Sequence, residues 1–203
     1  MTEVADLVIY LEGLSLFLSI LFIKHYKSTY YYFFIAYLFF AVFFETLGII
    51  THGSNNYWIY NIYTFFEFLS VVGIYYFLME TSPSKKVIIS LSFIFYVVYF
   101  LSFVYEELQT YTILLIPFFA VPFMFLYLKN LLNSAKIINY KKVLSFWITV
   151  SFLIYYMASV PFFSLQYLFG LQNRLLFTLL SIIVILMHSI FIGSLLWSKP
   201  TQK

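Results

Sequence analysis

Cysteine is missing from all 203 residues, which excludes disulfides, thiolate metal sites and cysteine nucleophiles together. Charge is nearly as scarce. Only 9% of the side chains are Asp, Glu, Lys or Arg, where an ordinary soluble domain carries about 25%. The start of the chain has no basic segment: it carries Glu3 and Asp6, and no small-residue cleavage site follows the first apolar run. That run therefore reads as a retained helix and not as a secretory leader. No stretch is left over for a soluble domain, the longest polar connection being residues 129–142.

What the chain has instead is apolar side chain. The hydrophobic share is 64%, with 27 Phe and 20 Tyr, and the mean hydropathy is +0.96. A water-soluble fold of this length cannot hide so much apolar surface. The solvent that fits is lipid. Seven apolar runs are long enough to cross a hydrocarbon core: residues 7–23, 30–50, 57–79, 87–104, 111–128, 143–163 and 175–197. Backbone groups in lipid must be satisfied within each run, so the runs are predicted to be helices. Alternating barrel strands of about ten residues are not seen. The expected fold is an all-α membrane protein, a seven-transmembrane-helix bundle occupying residues 1–203 as one polytopic domain.

The basic residues orient it. Ten of the eleven Lys and Arg residues fall in residues 24–27, 80–86, 129–142 and 198–203, and only Arg174 lies in the alternate set of connections. Counted over short loops, this asymmetry predicts a cytoplasmic lysine side, hence an N-terminus outside and a C-terminus inside. It also accounts for the formal charge of +3 without a nucleic-acid partner. Trp58, Trp147 and Trp197 fall near run ends, where amphipathic rings favour the headgroup region.

Ionisable groups within the runs are functional candidates, because each is costly in lipid unless it faces protein or water. They are Glu12, Glu45, Glu67 and His188. At about 1.5 Å per residue, Glu12 and Glu45 are expected roughly 8 Å below the outer run ends, Glu67 roughly 15 Å and His188 roughly 20 Å, a descending series. Helical spacing aligns other polar residues with them. Ser15 and Ser19 follow Glu12. Ala41, Gly48 and His52 share the Glu45 face, and Tyr60, Tyr63, Thr64 and Ser70 the Glu67 face. Ser145, Thr149, Tyr156 and Ser159 align in the sixth run, and Arg174, Thr178 and Ser181 align with His188 in the seventh. Asn61 lies about a third of a turn off the Glu67 face. Pro117 and Pro122 are expected to interrupt the fifth helix and Pro161 lies late in the sixth.

Two readings of the carboxylates stay open. They line a water-accessible cavity for a proton, a cation or an amine, or each is bonded to a Ser, Thr or Tyr neighbour and pins helices together. A retinal protein is excluded, since the seventh run has no lysine for a Schiff base. A zinc hydrolase lacks an H-x-x-x-H or H-E-x-x-H pair. Transport would be signalled by broken helices in matching halves, and no internal repeat is visible. The leading expectation is a receptor-like or sensor component with an outward-facing pocket for a small cationic or polar ligand, formed by Glu12, Glu45, Glu67 and His188 with Tyr60, Asn61 and Arg174 in support. It would act through a signalling partner protein and needs no cofactor. A small-solute or ion transporter and a membrane-embedded hydrolase are the alternatives.

The stretch Asn56-Tyr57-Trp58-Ile59-Tyr60-Asn61-Ile62-Tyr63 with Glu67-Phe68, and Phe146-Trp147-Ile148 with Tyr155-Tyr156, resemble motifs of an uncharacterised family of small seven-helix inner-membrane proteins from Bacteroidota-type bacteria. The resemblance implies the seven-helix layout and a bacterial inner membrane. It implies no activity.

Overall fold

The computed structural model describes residues 2–51, 57–105, 109–167, 169–170 and 174–198; at 2–6, 57, 109–110, 135–138, 167 and 174 it describes the backbone alone. Seven long helices account for most of them: α1 (Thr2–Leu21), α2 (Thr29–Ile50), α3 (Tyr57–Leu78), α4 (Ser82–Ser102), α5 (Gln109–Leu132), α6 (Leu144–Tyr167) and α7 (Arg174–Trp197). All seven are long and apolar enough to cross a membrane, and no strand occurs among the described residues. The expected multi-pass helical membrane architecture is thus present.

The helices overrun the apolar runs because hydropathy marks what lipid covers, not where the backbone stops coiling. α4 starts five residues before its run, where Ser82-Pro83 sets the first turn and Thr81 Oγ1 donates to Ser84 Oγ at 2.8 Å. α5 continues to Leu132, and the polar stretch after it is not open loop but a 3-10 segment, Ala135–Lys142. Pro117 and Pro122 lie inside α5, and Pro161 inside α6, without ending either helix. The interruption expected at α5 is therefore absent: each proline removes one backbone donor, and the flanking turns carry the helix on.

Contacts between helices fix their directions. Ser15 of α1 meets His188 of α7, and Tyr26 just beyond α1 meets Leu195 and Ser198, so α1 and α7 run parallel. Glu67 meets Tyr156 while Tyr75 meets Thr149, so α3 and α6 run antiparallel. Sequence neighbours pack together, and α1 closes against α7, while α3 touches α5 behind α4. The result is a ring of α1, α2, α3, α5, α6 and α7 with α4 against its outside. The α3 span is the most buried, at half of its residues, while the α1, α4 and α7 spans are the least, at 22%, 22% and 17%.

At the lysine-bearing end, the chain leaves α1 through a short 3-10 turn, Phe22–Lys24. Tyr26 follows it, nearly fully buried, and its hydroxyl donates to the Ser198 carbonyl at 2.8 Å, with the Leu195 carbonyl a longer, shared acceptor at 3.3 Å. Those are carbonyls that a helix C-terminus leaves without internal partners. Burial, with a smaller contribution from Tyr30, pushes the Tyr26 phenol up to about 12. Tyr26→Phe removes this latch. The expected loss is about 1 kcal/mol, read as a fall of roughly 2–4 °C in melting temperature with faster amide exchange at the end of α7.

Candidate functional site

The inward faces follow helical periodicity. On α1, Glu12, Ser15 and Ser19 are buried; on α3, Thr64, Glu67 and Ser70; on α6, Ser145, Thr149, Tyr156 and Ser159; on α7, His188. Most of the hydroxyls satisfy themselves on their own helix: Ser70, Thr149 and Ser159 donate to backbone carbonyls three or four residues back. Such bonds hide a hydroxyl without holding helices together.

Two of the carboxylates meet other helices in different ways. Glu67, 5% exposed, accepts a hydrogen bond from Tyr156 Oη at 2.9 Å, joining α3 to α6. This is the helix-pinning arrangement. Glu12 is not so held. Its Oε1 stands 3.9 Å from His188 Nε2, too long for a hydrogen bond. Neither Glu12 Oε2 nor His188 Nε2 has a partner among the described residues, although His188 is only 1% exposed.

Ser15 determines which way the imidazole presents itself. Its hydroxyl donates to the Glu12 carbonyl at 2.8 Å, and its oxygen lies 2.8 Å from His188 Nδ1. A hydroxyl has one proton. With that proton on the carbonyl, the bond to the ring requires Nδ1–H as donor. Nε2 is then the lone-pair nitrogen and faces Glu12 as an acceptor.

The expected descending series is corrected here. Glu12 and His188 meet each other; they do not lie at different depths. Counting depth from the start of each apolar run assumes that all runs begin at one level. α1 in fact begins at Thr2, five residues ahead of its run, which lowers Glu12 relative to its own helix end.

The other expected residues are placed variously about this pair. Glu45 is close enough to Glu12 to act on its charge. Tyr37 and Tyr63 lie within electrostatic reach of both Glu12 and Glu67, and Tyr155 of all three carboxylates. Tyr60 is more open: it is 36% exposed, sits near Glu45, and brings its hydroxyl against Gly48, where a Cβ would meet it at 2.8 Å. Asn61 is buried, and its carbonyl accepts from Tyr99 Oη of α4 at 3.0 Å, on a different side of α3 from Glu67. Ser181 is half-buried and spends its hydroxyl on the Phe177 carbonyl. His52 and Asn56, together with the side chain of Arg174, lie outside the described residues.

Toward the lysine-bearing end, an aromatic layer lies under the cluster. Phe34, Phe152 and Phe191 are fully buried and meet edge to face, Phe34 with Phe191 at 5.0 Å and Phe152 with Phe191 at 5.4 Å between ring centres. Tyr37 meets Phe152 at 4.8 Å, and His188 stands edge-on to Phe191 at 5.5 Å. These rings come from α2, α6 and α7. Beyond them a second polar level consists of hydroxyls alone: Tyr75 to Thr149 at 3.2 Å and Tyr127 to Ser145 at 2.6 Å. The described basic side chains, Lys24, Lys27, Lys85, Lys86, Lys129, Lys141 and Lys142, all belong to that end.

Among the described residues no three His, Asp or Glu side chains converge as metal ligands would. Comparison with protein-family models, with curated proteins and with solved structures gives no match to this chain.

Proposed function

We propose that this chain is a receptor-like component of a bacterial inner membrane, oriented with its lysine-bearing end in the cytoplasm. In this reading the cluster of Glu12, Glu45, Glu67 and His188 takes up a small cationic or polar ligand from the outer side and hands the change to a partner protein. The observation that carries it is the Glu12–His188 pair, two buried groups 3.9 Å apart whose Glu12 Oε2 and His188 Nε2 atoms have no hydrogen-bond partner among the described residues. Unpaired buried polar groups are costly, and strain of that kind is tolerated where it serves a site. The tyrosines supply hydroxyls and ring faces for orienting a ligand. The aromatic layer below supports sensing over passage, since three interlocked rings separate the cluster from the lysine-bearing end.

One observation favours transport as a second reading: buried hydroxyls resume beneath that layer. A hydrolase built on Ser15, His188 and Glu12 is disfavoured. Ser15 gives its proton to a backbone carbonyl, and the carboxylate faces the imidazole nitrogen that should activate the nucleophile.

The test uses purified protein in lipid vesicles. Small cations added from outside should give a saturable change in tryptophan fluorescence, with no net solute uptake. Glu67→Gln, whose amide oxygen still accepts from Tyr156, should leave the protein folded and weaken that response about ten-fold, equivalent to about 1.4 kcal/mol. Uptake without any partner would favour transport, and the absence of any saturable response would end the binding reading.

A further inference from the structure

We propose that the Glu12–His188 pair is the seat of an N–H-bearing cation, ammonium itself or a short primary amine. The inference rests on the binding reading above and names the chemistry of its ligand. It starts from the hydrogen-bond roles. With the Ser15 proton on the Glu12 carbonyl, the tautomer that completes the Ser15 bond carries its proton on Nδ1; in that tautomer Nε2 is an acceptor, and an ionised Glu12 carboxylate opposite is an acceptor too. Two acceptors that face each other do not complete one another; a donor between them does.

The spacing suits a single donor atom. A nitrogen placed about 2.8–2.9 Å from both Glu12 Oε1 and His188 Nε2 spans their 3.9 Å separation at an angle somewhat under the tetrahedral one. One ammonium head can therefore satisfy both acceptors with two of its protons. A further proton is left for Glu12 Oε2, which has no partner among the described residues.

Charge favours a cation over a neutral donor, because a carboxyl group stands on one side of the gap and the described lysines sit at the opposite end of the bundle. Phe191 stands edge-on to the imidazole at 5.5 Å between ring centres, and aromatic surroundings favour alkylammonium groups. A transition metal is a poor fit, because three convergent His, Asp or Glu ligands are not found among the described residues. A hard cation would need several oxygens to replace its water shell.

The experiment is a thermal-shift titration of the full-length wild-type protein in nanodiscs at constant ionic strength, replacing sodium chloride by ammonium, methylammonium, potassium or tetramethylammonium chloride. Ammonium and methylammonium should stabilise saturably, whereas potassium and tetramethylammonium, which has no N–H, should not. Glu12→Gln and His188→Phe should weaken the ammonium response at least ten-fold, while His188→Gln, which keeps an acceptor, should stay within about three-fold of wild type. Equal stabilisation by tetramethylammonium or potassium that depends on Glu12 would overturn the ammonium assignment and leave the cation site standing. If no cation stabilises the wild-type protein, the assignment and the binding reading fall together. A response unchanged in both Glu12→Gln and His188→Phe would place the cation elsewhere and overturn this site.

Discussion

Replacing Glu12 by Leu and His188 by Phe together is expected to leave the bundle at least as stable as wild type, and by about 1–3 kcal/mol more stable, while abolishing any ligand response. The expectation is the reverse of what a helix-pinning pair gives. Glu12 Oε2 and His188 Nε2 are buried without partners, and each such group costs about 1–3 kcal/mol. Exchanging even a buried ion pair for packed apolar groups is often neutral or stabilising, and this pair has no mutual hydrogen bond to lose. The bond lost with His188, its Nδ1 contact to Ser15, is a modest debit, because interhelical hydrogen bonds in membranes average about 0.6 kcal/mol. Ser15 keeps its bond to the Glu12 carbonyl in the variant, since that acceptor is backbone. Removing polarity therefore outweighs losing the contact.

Glu67 provides the contrast inside the same protein. Its Oε1 accepts from Tyr156, so Tyr156→Phe strips a buried carboxylate of its donor. A loss of about 1–2 kcal/mol is expected. Reversible unfolding in mixed micelles, with wild type, the double variant and Tyr156→Phe side by side, reads both signs. If the double variant proves several kcal/mol less stable than wild type, the Glu12–His188 pair is structural, and the site reading loses its main support.

That contrast marks where the amino-acid sequence stops being informative. Hydropathy locates all seven spans, and a period of 3.6 residues puts Glu12, Ser15 and Ser19, or Glu67 and Ser70, on buried faces. Both are local properties, written within one helix. Which carboxylate finds a donor is not local. Ser15 and His188 are 173 positions apart, and Tyr156 and Glu67 are 89 apart. Helix stagger, which apolar run lengths do not report, decides that Glu12 meets His188 instead of lying above it. The tyrosines were hidden for another reason. With 20 Tyr and 27 Phe in the chain, helical spacing does not separate Tyr37 from the many rings that only fill space. The aromatic layer of Phe34, Phe152 and Phe191 was invisible on the same ground.

Gly73→Ala is the second substitution with a large expected effect, and it concerns how closely α2 and α3 approach. A Cβ on Gly73 would fall within the ring of Phe33, against Cγ, Cδ1 and Cε1. That ring has little room to retreat in one direction, since Phe77, one turn further along α3, stacks on it with 5.5 Å between centres and planes 21° apart. Small residues allow such approach between membrane helices, whose association depends on packing because lipid offers no hydrophobic drive between them. Two effects oppose each other. Alanine gains up to about 1 kcal/mol over glycine in helix propensity, whereas overpacking costs about 1–3 kcal/mol. The clash involves the root of the ring and not a flexible tip, so overpacking should win, with a net loss of about 1–2 kcal/mol. Gly13 serves as the control. A Cβ there meets nothing within 4 Å, so Gly13→Ala should be neutral or slightly stabilising. Removing the ring should relieve the clash, so Gly73→Ala added to Phe33→Ala should cost far less than it does alone. A double-mutant cycle then returns a coupling of about 2 kcal/mol. Additive effects instead would mean that α2 and α3 move apart freely, and that the contact between Gly73 and Phe33 does not set their spacing.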